Sequence, residues 1–213
     1  IIVPNKAGGS TDLIARTVQP FLEKTLGVPL VIKNVGGAGG NIGQVEAFKA
    51  APDGYTLLIT PMPSFAISDI VGGAEFHVAE FVPVYNITGN SAQAIIVPVD
   101  SPIQTIQDLL EASKTRDLNA SGTGFTTNSG LVSVLLKSQL GLKHQLIPFD
   151  SGTEANTQVA GGHVDFGISS EESAISLIQE GKLRAIAYTG QERSRLMPDV
   201  PTLVESGYPD AYN

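Results

Sequence analysis

The chain opens with IIVPNKAGGSTDLIARTVQPFLEKTLG (residues 1–27), and this stretch indicates the fold class. A short β-branched run at residues 1–4 is followed by a glycine-containing turn and then by apolar residues at helical spacing from 11 to 26. Ser10 is a suitable N-cap for this helix, and Gly27 is a typical residue to end it. A strand, a tight turn and a helix in this order form the building unit of an α/β fold.

The rest of the chain continues the alternation of strands and helices. Further strands are predicted at residues 30–33, 55–60, 81–88, 93–97, 118–120, 145–148, 164–168 and 184–189. Further helices are predicted at residues 42–50, 103–113, 127–140, 152–160, 171–180 and 201–207. We therefore predict an α/β chain with largely parallel sheets. Residues 1–97 would start a first lobe, residues 98–183 would form a second lobe, and residues 184–213 would return to the first.

The composition limits the kinds of binding partner and of chemistry that are open to the chain. The 213 residues are 42% hydrophobic and 16% charged, which suits one large domain or two small lobes. A net charge of −8 argues against nucleic acid and anionic membrane surfaces as partners. The chain has no cysteine, so disulfides, cysteine-bound zinc and thiol nucleophiles are excluded. Because a domain seldom begins inside a strand, we also expect residues before Ile1.

Motifs for catalysis and for cofactors are missing from the sequence. There is no Walker A motif and no Gly-x-Ser-x-Gly elbow. Residues 36–43 fail the dinucleotide fingerprint because Ile42 stands where glycine or alanine is needed, so we predict a loop with several positive φ angles. His77, His144 and His163 lie far apart and are predicted on the surface or in turns. No metal site and no cofactor are predicted.

Three loops share the order strand, glycine-rich turn and helix N-terminus, at residues 7–11, 121–129 and 150–153. Helix N-termini expose unpaired amides and the positive end of the helix dipole, which suits them to anions. In open α/β sheets such loops lie at the carboxyl ends of strands, where ligands bind. Turn and cap chemistry also selects glycine and serine, so each loop alone has a structural explanation. Two hydroxyl-rich loops that face each other from separate lobes would indicate a ligand cleft.

Two further features extend the candidate cleft. Residues 61–65 follow a predicted strand and should therefore lie at the same rim as the first loop, with Ser64 as a donor and Phe65 as a wall. The alternative is a rigid turn with Phe65 in the core. Lys6 directly precedes the first loop and is the only cation in or next to the three loops. We predict that it faces the cleft and favours a ligand with a second negative group, and the alternative is a solvated lysine.

An ordered set of motifs now identifies a family resemblance. The motifs are VP at 3–4, AGGSTD at 7–12, AR at 15–16, GAGGNIG at 37–43, PDGYTLL at 52–58, GGHVD at 161–165, GKLRAIA at 181–187 and PDVPT at 198–202. Together they cover essentially the whole chain and resemble the tripartite tricarboxylate transporter receptor family, the extracytoplasmic Bug/TctC-type proteins.

The resemblance implies a type II periplasmic binding protein fold, in which two α/β lobes close on a carboxylate in the cleft between them. In that family the first loop holds one ligand end partly through ordered waters, and the second-lobe helix N-terminus at 126–129 holds a carboxylate directly. It also implies a further part of lobe one beyond residue 213. The predicted ligand-binding residues are Lys6, Ala7, Gly8, Gly9, Ser10, Thr11, Pro63, Ser64, Phe65, Gly122, Thr123, Gly124, Thr126, Thr127, Asn128, Ser129 and Ser169.

The implied function is that of a monomeric periplasmic receptor, without catalysis, that delivers a di- or tricarboxylate to a membrane permease. The chain departs from the family pattern at Asn5-Lys6, at Ser129-Gly130 and at Asp150-Ser151, which leaves the identity of the ligand open. Alternatives are a receptor for an amino acid or aromatic carboxylate, or a sensing module for a membrane kinase. A hydrolase or transferase on the same fold is a third class.

Overall fold

The computed structural model describes residues 1–71, 74–88 and 92–212. The chain forms two compact units, Ile1–Ile87 and Thr88–Asn213. Strands at Ala94–Pro98 and Leu183–Tyr188 pair with each other inside the second unit. The sequence had placed residues up to 97 and residues 184–213 in the first lobe. The division of the whole receptor into lobes at 1–97, 98–183 and 184–213 stays a prediction.

The first unit is built around two short parallel strands. Its elements are β1 (Ile2–Val3), α1 (Ser10–Leu26), β2 (Lys33–Asn34), a 3-10 turn (Ala38–Gly40), α2 (Asn41–Phe48), α3 (Met62–Val71) and a second 3-10 turn (Val78–Glu80). β1 pairs with β2 in parallel, and Ile2 also forms a parallel bridge with Leu58. Gly27 ends α1 in the left-handed conformation, as predicted.

Several predictions for the first unit are corrected. Residues 55–60 contribute only the bridge at Leu58, and residues 81–88 form no strand with any described residue. Their β-forming side chains are present, but a strand also needs a neighbouring backbone to pair with. Gly9, not Ser10, is the N-cap of α1, and no side chain caps the helix.

Four phenylalanines form the aromatic core of the first unit. The Phe65 ring lies 5.1 Å from the Phe76 ring and 4.8 Å from the Phe81 ring, and Phe48 packs against the latter two. Residues 62–65 belong to α3 and not to a loop. Phe65 is therefore a core residue of this unit, as the alternative stated, but it lies in a helix and not in the rigid turn which that alternative assumed.

The loop at residues 36–43 has the predicted backbone. Gly37, Gly39 and Gly40 have φ angles of 124°, 67° and 101°, and Ala38 has a φ of 49°. A Cβ atom at Gly43 would lie 2.6 Å from the Val35 carbonyl oxygen, so glycine is also needed there for close packing.

The second unit is a five-stranded sheet in the order β5-β4-β6-β3-β7. Its elements are β3 (Ala94–Pro98), α4 (Ile106–Thr115), β4 (Leu118–Gly122), α5 (Asn128–Leu140), β5 (His144–Pro148), α6 (Gly152–Ala160), β6 (Phe166–Ser169), α7 (Glu171–Gln179) and β7 (Leu183–Tyr188). β4 runs parallel to β5 and β6, and β3 is antiparallel to β6 and β7. Residues 201–207 form turns, not the predicted helix.

Each face of this sheet carries its own apolar cluster. One cluster includes Val132 and Leu136 of α5, and the other includes Val159 of α6 and Ala174 of α7. Because β4, β5 and β6 are parallel, the N-termini of the three helices that follow them lie at one edge of the sheet. This arrangement brings the second and third glycine-rich loops to the same edge.

His144 is buried in this unit, so its predicted surface position is wrong. It is 7% exposed on β5, with Nε2 2.8 Å from Ser133 Oγ and Nδ1 3.2 Å from the Leu142 carbonyl oxygen. A carbonyl oxygen only accepts, so Nδ1 carries the proton and the Ser133 hydroxyl donates to Nε2. Burial lowers the pKa of His144 to about 4.

Candidate functional site

Three hydroxyl groups meet where β4 ends and α5 begins. Thr123, Thr127 and Ser129 form this hydroxyl cluster. Thr127 Oγ1 lies 2.9 Å from Ser129 Oγ and 3.1 Å from Thr123 Oγ1, and the third pair of oxygens is 3.3 Å apart. The structure therefore brings together three of the predicted ligand-binding residues in one unit.

The protons of the hydroxyl cluster can be assigned from its acceptors. Thr127 Oγ1 donates to the Gly124 carbonyl oxygen at 2.8 Å, which uses its only proton. Ser129 Oγ accepts the Thr123 amide at 2.8 Å and is buried, so its own proton points to a hydroxyl neighbour. Thr123 is only half-buried. Its hydroxyl donates to Thr127 Oγ1 at 3.1 Å, because Thr127 has already used its own proton, so a bond from Thr123 to a ligand would replace that one.

The backbone around the cluster requires glycine at two positions. Gly124 has a φ of 136°, which side-chain-bearing residues rarely adopt. A Cβ atom at Gly130 would lie 2.1 Å from the Phe125 carbonyl oxygen. These glycines allow the loop to fold tightly over the first turn of α5.

The first turn of α5 adds backbone donors beside the hydroxyl cluster. Thr127 is the N-cap without a side-chain cap bond, and the first intrahelical bond runs from the Leu131 amide to the Thr127 carbonyl oxygen. The amides of Ser129 and Gly130 precede that bond and have no acceptor within the helix. Together with the helix dipole they attract an anion. Residues 122–130 include no Asp, Glu, Lys or Arg.

The remaining predicted residues of the second unit have varied positions. Thr126 and Asn128 are half-buried, and Gly122 is buried at the end of β4. Ser169 is buried at the end of β6, where its hydroxyl donates to the Ser170 carbonyl oxygen at 3.1 Å. The third loop is tied to the second because the Phe149 amide donates to the Gly122 carbonyl oxygen at 2.8 Å.

In the first unit, the glycine loop uses two of its amides internally. The Gly8 amide donates to Asp12 Oδ2 at 2.8 Å, and the Gly9 amide donates to the Lys6 carbonyl oxygen at 3.3 Å. The amides of Ser10, Thr11 and Asp12 start α1 and precede its first intrahelical bond, so they have no acceptor within the helix. Lys6, Ala7 and Gly8 are exposed, Ser10 is half-buried, and Gly9 and Thr11 are buried.

The predicted contacts at Pro63, Ser64 and Phe65 lie in the first turns of α3. Pro63 is half-buried, and Ser64 is buried with its hydroxyl donating to the Pro61 carbonyl oxygen at 3.1 Å. The roles of these three residues toward a ligand stay predictions.

Within residues 1–71, 74–88 and 92–212, no group of three or more His, Cys, Asp or Glu side chains could hold a metal ion. No helix in the described part of the chain is both long and apolar enough to cross a bilayer.

The chain is similar in sequence to known proteins of one receptor family. Residues 14–212 match the model of the family described as tripartite tricarboxylate transporter family receptor. An Agrobacterium vitis protein, named UPF0065 protein in the TAR-I ttuE-ttuC′ intergenic region, is 31% identical over 99% of this chain and 61% of its own length. Protein BugT of Bordetella pertussis is 31% identical over 99% of this chain and 66% of its own length. The chain thus spans less than two thirds of these relatives.

Solved structures agree on the fold. MatC from Rhodopseudomonas palustris with bound malate is 28% identical with a TM-score of 0.90, covering 100% of this chain and 74% of that one. A second R. palustris protein with adipate is 25% identical with a TM-score of 0.92, covering 100% of this chain and 72% of that one. The predicted α/β fold of a two-lobed periplasmic binding protein is confirmed.

Proposed function

Since the chain belongs to the tripartite tricarboxylate transporter receptor family, whose members are periplasmic solute-binding receptors, we propose that it captures a small dicarboxylate for delivery to a membrane permease. The observation that carries the proposal is the hydroxyl cluster beside the first-turn amides of α5. Two neighbours in fold were solved with malate and adipate, and both of these ligands are dicarboxylates.

The chemistry of the second unit suits one carboxylate group. First-turn amides of α5 can donate to its oxygens, and the Thr123 hydroxyl can do so by exchanging its bond to Thr127 Oγ1 for one to the ligand. Each hydrogen bond to a charged group contributes about 1.5–3 kcal/mol. Because the loop itself has no charged side chain, the carboxylate would be held by dipoles alone. Such a site binds reversibly, as a receptor that must release its ligand requires.

The hydroxyl cluster supports binding and not catalysis. Its hydrogen bonds are with other hydroxyls and with backbone groups, and a nucleophilic serine or threonine would need a general base beside it. The Ser133–His144 pair has that residue combination, but both residues are buried between α5 and β5. We therefore assign the chain to the receptors.

The test is to titrate malate and adipate into wild type and into Thr123→Val by calorimetry. Loss of one hydrogen bond to a charged group should raise Kd by roughly 10- to 100-fold. Thr115→Val is the matched control, because Thr115 is exposed at the end of α4 and donates only to a helix carbonyl. Equal Kd values for wild type and Thr123→Val would show that the hydroxyl cluster does not bind the ligand.

A further inference from the structure

A buried carboxylate lies behind the first glycine loop. Asp12, in the first turn of α1, has a side chain only 2% exposed. Its Oδ2 accepts from the Gly8 amide at 2.8 Å and from Arg16 Nε at 2.9 Å, and its Oδ1 accepts from Asn34 Nδ2 at 3.0 Å. Asp12, Arg16 and Asn34 are called the Asp12 brace below.

The Asp12 brace holds both ends of the loop at residues 5–9. Asn34 Nδ2 also donates to the Asn5 carbonyl oxygen at 3.1 Å, and Arg16 Nη2 donates to Asn34 Oδ1 at 3.3 Å. Asn34 belongs to β2, where it is in register with Val3 of β1. The loop is thereby joined at its start to β2 and at its glycine to α1.

Close backbone packing restricts the same loop from the other side. A Cβ atom at Gly36 would lie 3.1 Å from the Lys6 backbone nitrogen. Gly8 itself has a φ of 82°. Because glycine adopts positive and negative φ angles about equally well, a hydrogen bond from outside the loop is needed to select this conformation. The Gly8–Asp12 bond supplies that selection.

The charge of Asp12 is balanced by its own partners. Burial alone would raise the pKa of Asp12, but hydrogen bonds from Arg16, Gly8 and Asn34 outweigh it and hold the pKa below its ordinary value. The carboxylate thus stays ionised and is surrounded by donors. It can stand close to an anion site without leaving an unpaired negative charge.

We infer that Asp12 is a positioning residue of the receptor: it does not touch the ligand, but holds loop 5–9 in the shape that presents the first-turn amides of α1. The inference rests on the proposed function, because it takes the first loop as a ligand-binding segment. It gives a role to a residue that lies outside the predicted ligand contacts.

The experiment compares Asp12→Asn with Glu23→Gln, a matched carboxylate-to-amide change near the other end of α1. Glu23 Oε1 accepts from the Leu30 amide and from Gln19 Nε2. The first readout is the Gly8 amide in a two-dimensional NMR spectrum of the ligand-free protein. We expect its resonance to shift or broaden in Asp12→Asn and to stay in place in Glu23→Gln.

The second readout is the Kd for malate, measured well below the melting temperature of each variant. We expect Asp12→Asn to raise Kd at least about ten-fold, whereas Glu23→Gln leaves it unchanged. A Gly8 resonance that is unchanged in Asp12→Asn, an unchanged Kd, or an equal rise in both variants would overturn the inference. Wild type that binds no small carboxylate would overturn the proposed function, and the Gly8 resonance would still test the brace.

A second variant covers the case in which Asp12→Asn does not fold. Asn34→Ala removes the bonds to Asn5 and to Asp12 Oδ1, while Asp12 keeps Arg16 and Gly8. The same change in the Gly8 resonance and a smaller rise in Kd are expected. Wild-type values for both readouts in Asn34→Ala would contradict the brace.

Discussion

At the residue scale, we expect Lys6 to influence which ligands the receptor prefers. It is exposed on the first loop, so a charge interaction there would be screened by water. We expect Lys6→Met to weaken succinate binding by up to roughly five-fold, the upper end for exposed ion pairs. Butyrate, with one carboxylate and the same chain length, should bind both proteins alike. Calorimetry checks this, and equal losses for the two ligands would rule out a selective role.

His144 makes the stability of the second unit depend on pH. Its pKa is about 4 in the folded protein, against an ordinary value of 6.5, so the unfolded state binds the proton more readily. Stability should be fully present above pH 6.5 and decline as pH falls towards 4. The lost stability reaches about 3 kcal/mol at the lower end of that window.

The measurement for His144 is urea unfolding at a series of pH values. His144→Gln should flatten the decline between pH 6.5 and 4, whereas His163→Gln, at an exposed position, should keep it. An unchanged slope in His144→Gln would show that other groups cause the acid sensitivity.

Some groups of site residues were predictable from the sequence, but their hydrogen bonds were not. Thr123, Thr127 and Ser129 were predicted from their place before a helix, and the fold brings their hydroxyls together. The role of Asp12 was missed, because its partner Asn34 comes from another strand and no local pattern links the two. An acidic residue in a first helical turn has a sufficient local explanation in the helix dipole.

At the element scale, α5 and its preceding loop form one packed unit. Gly130→Ala would place a methyl group 2.1 Å from the Phe125 carbonyl oxygen, so the loop must move. We expect a loss of about 1–3 kcal/mol in stability, as for other overpacked sites, and a loss of malate affinity. Ser138→Ala, exposed on the last turns of α5, is the control. Unchanged unfolding and binding in Gly130→Ala would contradict the packing described.

The helices and strands of the second unit were predictable because each apolar pattern in the sequence there also has a neighbouring element to pack against or pair with in the fold. Helix α6 has the predicted bounds, and α4 begins at Ile106 instead of at the predicted residue 103. In the first unit, α3 was missed because Pro63 was read as part of a turn. Proline is tolerated in the first turn of a helix, where its missing amide has no acceptor to lose.

At the scale of the whole molecule, we propose that the folded chain binds a small dicarboxylate through its carboxylate groups. A ligand that binds only the folded state stabilises it by about 2.7 kcal/mol at 100 times Kd. For a chain of this size that corresponds to a rise in melting temperature of roughly 5–10 °C.

The most direct measurement is the thermal unfolding of wild type with malate and adipate, and with the neutral diamides of the same carbon skeletons. The diamides keep the shape but remove the charges that the helix N-termini would attract. We predict a melting temperature that rises with the concentration of at least one of the two dicarboxylates and stays constant with its diamide. No rise with either dicarboxylate, or an equal rise with its diamide, would contradict the claim.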